Sequence, residues 1–402
     1  MNSTCIRRSI ASACIQNCML LAFCLAFLLA AEMRAATITW VGGTGTGTSR
    51  YMWRRTGGTA GGNWNPTNVP TAADAVHFNT SNTYIAITLA QAENAGTLTF
   101  DSAAGAFTFS DGTATGSLTI AGITGVGITN NSASTQTFNI GLTISSSQTW
   151  NAAAGALTFT NARTVALGAN TLTLEGSYDI TISDAISGTG GSLTKTGSGT
   201  LTLSGANSYT GATTVNAGVL NIQNATATGT TAGGVSVASG AALQMQGGIA
   251  VGAEALALGG TGISNDGALR NISGNNTWGG AITISGTNTR IDSDAGTLTL
   301  SGAIGGNAQN LIIGGASGVN ISNVIGTTTG TLAKDGAGTL TLSGANTFSG
   351  GTTIGSANGA SGGTIQLGAN NTLPGDVTVY AGTLSTGTYS DTNAVRPGNI
   401  IS

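Results

Sequence analysis

Past its first 35 residues the chain has no cysteine, because all four (Cys5, Cys14, Cys18 and Cys24) fall before that point. Disulfides and thiolate chemistry are therefore excluded from the remainder, and stability has to come from backbone hydrogen bonds and a packed core. Histidine is nearly as scarce: His77 is the single one. Beyond residue 35 there are two lysines, Lys195 and Lys334, seven arginines and fourteen carboxylates, a balance of −5. Without a basic stripe to neutralise phosphates, nucleic-acid binding has little electrostatic support. Proline is also rare, at 4 residues, whereas glycine is abundant at 65. That imbalance separates the chain from collagen-like sequence, and its recurring Leu, Ile and Val pairs separate it from flexible glycine/serine linkers.

The N-terminus reads as an address. Arg7 and Arg8 precede a short apolar run, Met19 to Ala31, and AEMRAA supplies small residues for cleavage near Ala35 or Ala36. That run is too short to span a bilayer comfortably, so residues 1–35 are expected to be a secretory signal peptide, with no membrane span in the mature chain. The expected location is extracellular or at the cell surface.

What fills the rest is alternation. TLTF (Thr97–Phe100), SLTI (Ser117–Ile120), TLTL (Thr171–Leu174), VLNI (Val219–Ile222), TLTL (Thr297–Leu300) and TIQL (Thr364–Leu367) each pair an apolar face with a polar one. Period two with β-branched residues means half-buried strand. Between these runs sit SGAN, NAG and ASG, where Gly and Asn tolerate positive φ at little cost. No window beyond the signal reads as an amphipathic helix, so the chain is expected to be all-β.

One sentence of sequence is written twice. GTLTLSGANSYTGATTV (Gly199–Val215) returns as GTLTLSGANTFSGGTTI (Gly338–Ile354), with 12 of 17 positions identical and every change conserving size. Reuse of one strand-and-turn formula marks a stacked solenoid rather than a sandwich. A right-handed parallel β-helix is expected, by the crossover rule. At about 20 residues per coil it would have up to roughly 18 coils, stacked at about 4.8 Å. Leu201, Leu203, Leu340 and Leu342 should face the core. Tyr209 and Phe348 share a position that wants a ring, and Asn207 and Asn346 sit where they could bond neighbouring backbone.

GSLTKTGSGTLTLSGANSYTGATTVNAGVLNI (Gly191–Ile222) and GTLAKDGAGTLTLSGANTFSGGTTI (Gly330–Ile354) resemble the autotransporter-associated β-strand repeat, also called the passenger-associated transport repeat. Asn275–Ile304 is similar to the segment that often precedes it, and GGNWNPTNVPTAADAVHFN (Gly61–Asn79) to the opening segment of such proteins. The resemblance implies a secreted β-helix passenger, with the repeat assisting folding or translocation. It divides the chain into a signal (1–35), a Trp-rich N-terminal cap over the first coil (36–85) and the β-helix (86–402). The family's self-exporting members end in a membrane barrel, which SDTNAVRPGNIIS does not supply. Either another system exports the chain or it is a fragment of a longer one, and the fragment is the favoured expectation because a bare solenoid end invites edge-to-edge association.

Candidate sites are few, and each has a plainer account. His77 with Asp74 could begin a Ser-His-Asp triad, although neighbouring strand residues need not converge. Gly359-Ala360-Ser361-Gly362-Gly363 matches a nucleophile elbow in pattern, without the helix that an elbow requires. Asp292 and Asp294 lack the further acids of a calcium loop, and Asp266 falls too late after Gly259-Gly260-Thr261-Gly262 for a calcium-binding repeat. Lys195 and Lys334 occupy matching places, with the stem expected over a turn and the ammonium in water. The expectation is no catalytic, cofactor-binding or metal site: a non-enzymatic, adhesin-like surface passenger, with a glycan-binding module or a β-helix carbohydrate-active enzyme as the alternatives. Trp150, Trp278 or the cap tryptophans (Trp40, Trp53 and Trp64) exposed in a groove would favour surface glycans as partners.

Overall fold

The computed structural model describes residues 69–387, apart from 80–83, 112–115, 161–162, 357, 359–360 and 370–372, together with the backbone of strands Thr37–Trp40 and Trp64–Asn65. The signal expected at 1–35 and most of the expected cap lie outside these residues. The fold is an all-β parallel solenoid of about 13 turns.

Most coils visit a first sheet, then a second, then a third side. The first sheet has 14 strands, running from the N-terminal pair through Ala75–Phe78, Thr97–Phe100 and Ser192–Lys195 to Ile325–Gly326. The second also has 14, from Tyr84–Leu89 through Thr200–Leu203 to Val377–Val379. The third side is divided. Its earlier coils form a sheet of 5 strands ending at Ala185–Ser187, and its later coils a sheet of 7 beginning at Ala250–Val251. All pairings are parallel and all but a few keep register, except that Trp64–Asn65 runs antiparallel to Thr37–Trp40.

The alternation of the sequence is the alternation of burial. In Thr200–Leu203 and Thr339–Leu342 the leucines point inward and the threonines outward. Leu201, Leu203, Leu340 and Leu342 are at most 1% exposed. Because the ladder sets like residues above one another, the sequence repeat becomes columns in space. Phe109, Phe138 and Phe159 stack with centroids 4.8 and 5.0 Å apart, close to the strand spacing itself. Trp150 closes the column, 4.6 Å from Phe159. Farther along, the core changes from aromatic to Leu and Ile.

Coil length varies more than a fixed period of about 20. From Leu201 to its partner Leu220 the chain takes 19 residues, and from Leu243 to Leu269 it takes 26. The longer coil carries a loop at 259–268, with a short 3-10 turn at Ile263–Asn265.

Candidate functional site

The sequence-derived candidates are dispersed. His77 lies on the outer face of the first sheet, and its Nδ1 is 3.1 Å from Oδ1 of Asp101, one coil onward. Asp74 does not meet it. That carboxylate accepts the backbone N–H of Thr71 at 2.7 Å and the Thr71 hydroxyl at 2.6 Å, closing its own turn. No described hydroxyl is hydrogen-bonded to His77, so the pair is a half-exposed surface contact. In the elbow-like segment, Gly359 and Ala360 lie outside the described residues. Ser361 to Gly363 form a loop leading into strand Thr364–Leu367, where an elbow requires a helix.

Asp292 and Asp294 face arginines. Arg290 reaches Asp292 at 2.9 Å and grips Asp335, two coils on, with two bonds of 2.7 Å. Arg270 holds Asp294 at 2.7 Å and Asp266 at 3.2 Å. The coil between Asp292 and Asp335 supplies Gly314, where an added Cβ would stand 2.2 Å from Arg290 Nη2 and 2.5 Å from Asp335 Oδ1. The guanidinium therefore passes through the gap left by a missing side chain. Burial alone would lower the pKa of Arg290, but hydrogen bonds and charge from Asp335 and Asp292 outweigh it and hold the group above its ordinary value. Burial raises that of Asp292, against the pull of Arg290. Among the described residues, no group of three or more His, Cys, Asp or Glu is placed to hold a metal ion.

Lys195 and Lys334 correct the expectation of an ammonium in water. They are 3% and 1% exposed, at the inward end of their strands. The Nζ of Lys195 donates to the carbonyls of Gly197 and Ala217; that of Lys334 donates to those of Asp335 and Gly336. The corner that follows each lysine turns carbonyls inward, where they need a donor. Other coils supply one with asparagine: Asn130 donates to Ser134 and Ala156, and Asn271 to Gly274 and Ala295. Gly218 makes room in the first repeat, since its φ is +70° and a Cβ there would stand 2.3 Å from the Gly197 carbonyl and 2.8 Å from Lys195 Nζ. Burial lowers both lysines to about 8, with nearby carboxylates, Asp179 for Lys195 and Asp335 for Lys334, opposing it.

The asparagines of the two repeats act as substitute peptide groups. Asn207 Oδ1 accepts the N–H of Ile186 in the preceding coil at 2.8 Å, and its Nδ2 donates to Ala227 O in the next at 2.5 Å. Asn346 Oδ1 accepts the N–H of Ile325 at 2.9 Å. The residue after each asparagine returns a bond to the same isoleucine carbonyl, Ser208 to Ile186 at 2.8 Å and Thr347 to Ile325 at 3.0 Å. Both isoleucines belong to the last strand of a sheet: Ile186 ends the 5-stranded one and Ile325 the first 14-stranded one. Each repeat thus terminates a sheet without leaving its last N–H unpaired. Tyr209 and Phe348, two residues on, are fully buried beneath the turn.

The sequence held more of this pattern than those two copies. Amide, hydroxyl and aromatic residues follow one another in Gln136-Thr137-Phe138, Gln148-Thr149-Trp150, Asn207-Ser208-Tyr209, Asn276-Thr277-Trp278 and Asn346-Thr347-Phe348. Gln136 Oε1 accepts Phe107 N–H at 2.8 Å and Asn276 Oδ1 accepts Ile249 N–H at 2.7 Å, the same service in other coils. Trp150 and Trp278 are 0% exposed, so neither offers a face to a sugar. Their indole N–H groups are bonded inside, to Gln148 Oε1 and Glu254 O.

A model of the passenger-associated-transport-repeat family matches residues 193–222 and 332–357. No curated protein and no solved structure matches the chain. The matched segments coincide with the two sheet-ending copies described above.

Proposed function

We propose, from the premise that the chain carries two passenger-associated transport repeats on a parallel β-solenoid, that it is a non-enzymatic, exported structural passenger, adhesin-like in displaying long polar faces. Its location is the cell surface or the medium, with residues 1–35 as the signal and 36–85 as the cap over the first coil. The observation that carries the reading is the work done by the repeats. The lysines and asparagines that looked chemical in them, Lys195, Lys334, Asn207 and Asn346, are committed to backbone atoms of the solenoid, and Asp335 is held by Arg290. Outer faces rich in Thr, Ser and Asn suit weak, repeated contact with surface components. No helix among the described residues is long and apolar enough to cross a membrane.

The repeat helps folding, in this reading, by closing a sheet where it occurs, so that the coils before it need no later strand to satisfy their edge. Export is tested by expressing the full chain with and without residues 1–35 in a bacterial host and following protease accessibility on intact cells. The chain with the leader is expected outside and the truncated one inside. Equal retention of both would remove the export reading.

A further inference from the structure

The first repeat interrupts the third side of the solenoid. Among the described residues no strand lies there between Ala185–Ser187 and Ala250–Val251. In that interval a cleft of about 320 Å³ opens, with Asn207, Thr226, Thr230, Val251 and Glu254 on its walls. Glu254 is only 2% exposed, and a backbone hydrogen bond from Gly234 supports its carboxylate. Its Oε1 is buried and has no partner, and neither has the buried Oγ1 of Thr230. Leaving such groups unpaired is costly, and more so for a charge. The neighbouring amide cannot relieve them, because both ends of Asn207 are engaged by Ile186 and Ala227.

We propose that this cleft binds a primary ammonium group carried on a short aliphatic stem, with Glu254 Oε1 and Thr230 Oγ1 accepting its N–H bonds. The chemistry of the walls selects this class. A carboxylate on the wall repels anions. A metal ion of the calcium or magnesium type needs several oxygen ligands, and Glu254 is the only carboxylate on the walls. A polyol would bring more hydroxyls than the two buried unpartnered acceptors can meet, while Ala225, Ala250 and Val251 give the stem an apolar wall. Burial pushes the Glu254 carboxyl up to about 7, so the ammonium displaces a proton and uptake strengthens between pH 6 and 8. Tyr209, the other titratable group facing it, is driven upward by burial and stays neutral across that range. The inference does not depend on export.

The test is titration of the full chain with n-butylammonium chloride against matched sodium chloride at pH 7.5, by calorimetry and thermal shift. A second arm uses Nα-acetyl-lysine methylamide, which separates free amines from lysine side chains as the source. Saturable binding of n-butylammonium is expected, weakened at least tenfold in Glu254→Gln. Ala225→Trp, placed on the exposed rim, should block the cleft while leaving the melting temperature without amine unchanged. No saturable binding to the wild type, equal binding by Glu254→Gln, or preference for a neutral polyol such as erythritol would each overturn the proposal.

Discussion

The two repeats share most of their residues and occupy different sides of the molecule. In the first, Ser192–Lys195 lies in the first sheet, Thr200–Leu203 in the second, and the Asn207–Tyr209 segment on the third side. In the second, Leu332–Lys334 lies in the second sheet, Thr339–Leu342 in the 7-stranded third-side sheet, and Asn346–Phe348 follows onto the first side, beneath Ile325. The unit has moved on by one side between its copies. Its internal geometry is nonetheless the same: a lysine closing carbonyls at the first corner, two inward leucines, an asparagine pairing the coil above, and a buried ring. The motif therefore encodes a local shape that any side of the solenoid accepts, and wherever it lands a sheet stops.

The strongest way to break this equivalence is to remove the rings. Tyr209→Ala and Phe348→Ala each empty a fully buried aromatic position, and each should cost about 3–5 kcal/mol. Chemical denaturation, with hydrogen exchange to localise the damage, is the measurement. If the two copies are one structural unit, the costs agree to within about 1 kcal/mol despite the different sides. A large loss at one ring and none at the other would mean that the copies are alike in sequence alone.

The lysines sharpen the comparison through pH. Unfolded, each holds its proton up to the ordinary value of 10.5; folded, burial lowers it to about 8. The unfolded chain therefore binds more protons between about pH 8 and 10.5, so stability rises with pH across that window, and the cost of the buried charge is fully present below it. Lys195→Met and Lys334→Met should each flatten that slope. Loss of the donor to the inward carbonyls costs about 2 kcal/mol, and at pH 7 relief of the buried charge offsets it, so each change should be milder at pH 7 than at pH 9.5. Urea midpoints at pH 7 and pH 9.5 check both statements, and an unchanged slope would place the ammonium in water after all.

Much of this architecture is legible in the sequence. The alternation in TLTL located strands and inward leucines, and the doubled sentence identified a solenoid. Coil positions were not legible, since a side is reached by adding coil lengths, and the 259–268 loop upsets any fixed period. Coils that run to 26 residues where about 20 were expected separate up to roughly 18 expected coils from about 13. Lys195 sits two residues after inward Leu193, so alternation alone pointed it inside; the cost of burying a charge argued for water, and the corner carbonyls reversed that balance. His77 finds Asp101 rather than Asp74 because stacking brings together residues 24 apart. The Glu254 cleft left no mark in the sequence, because it exists where strands are missing.

The smallest expected effect lies in the one chemical difference between the rings. Tyr209 hydroxyl is 2.6 Å from Thr213 Oγ1, four residues on. Phe348 has no hydroxyl, and the corresponding Thr352 is 3% exposed with its Oγ1 unpartnered. The same threonine is thus satisfied in one copy and stranded in the other. Thr→Val keeps the shape and removes the hydroxyl, so its sign should differ between copies. Thr213→Val should destabilise by about 1 kcal/mol, and Thr352→Val should stabilise by a similar amount. Phe348→Tyr should recover the bond, and once it is in place Thr352→Val should become destabilising. A double-mutant cycle over these two positions measures the coupling directly. Equal signs for the two Thr→Val changes would show that Thr352 has a partner, and that the copies differ less than their rings suggest.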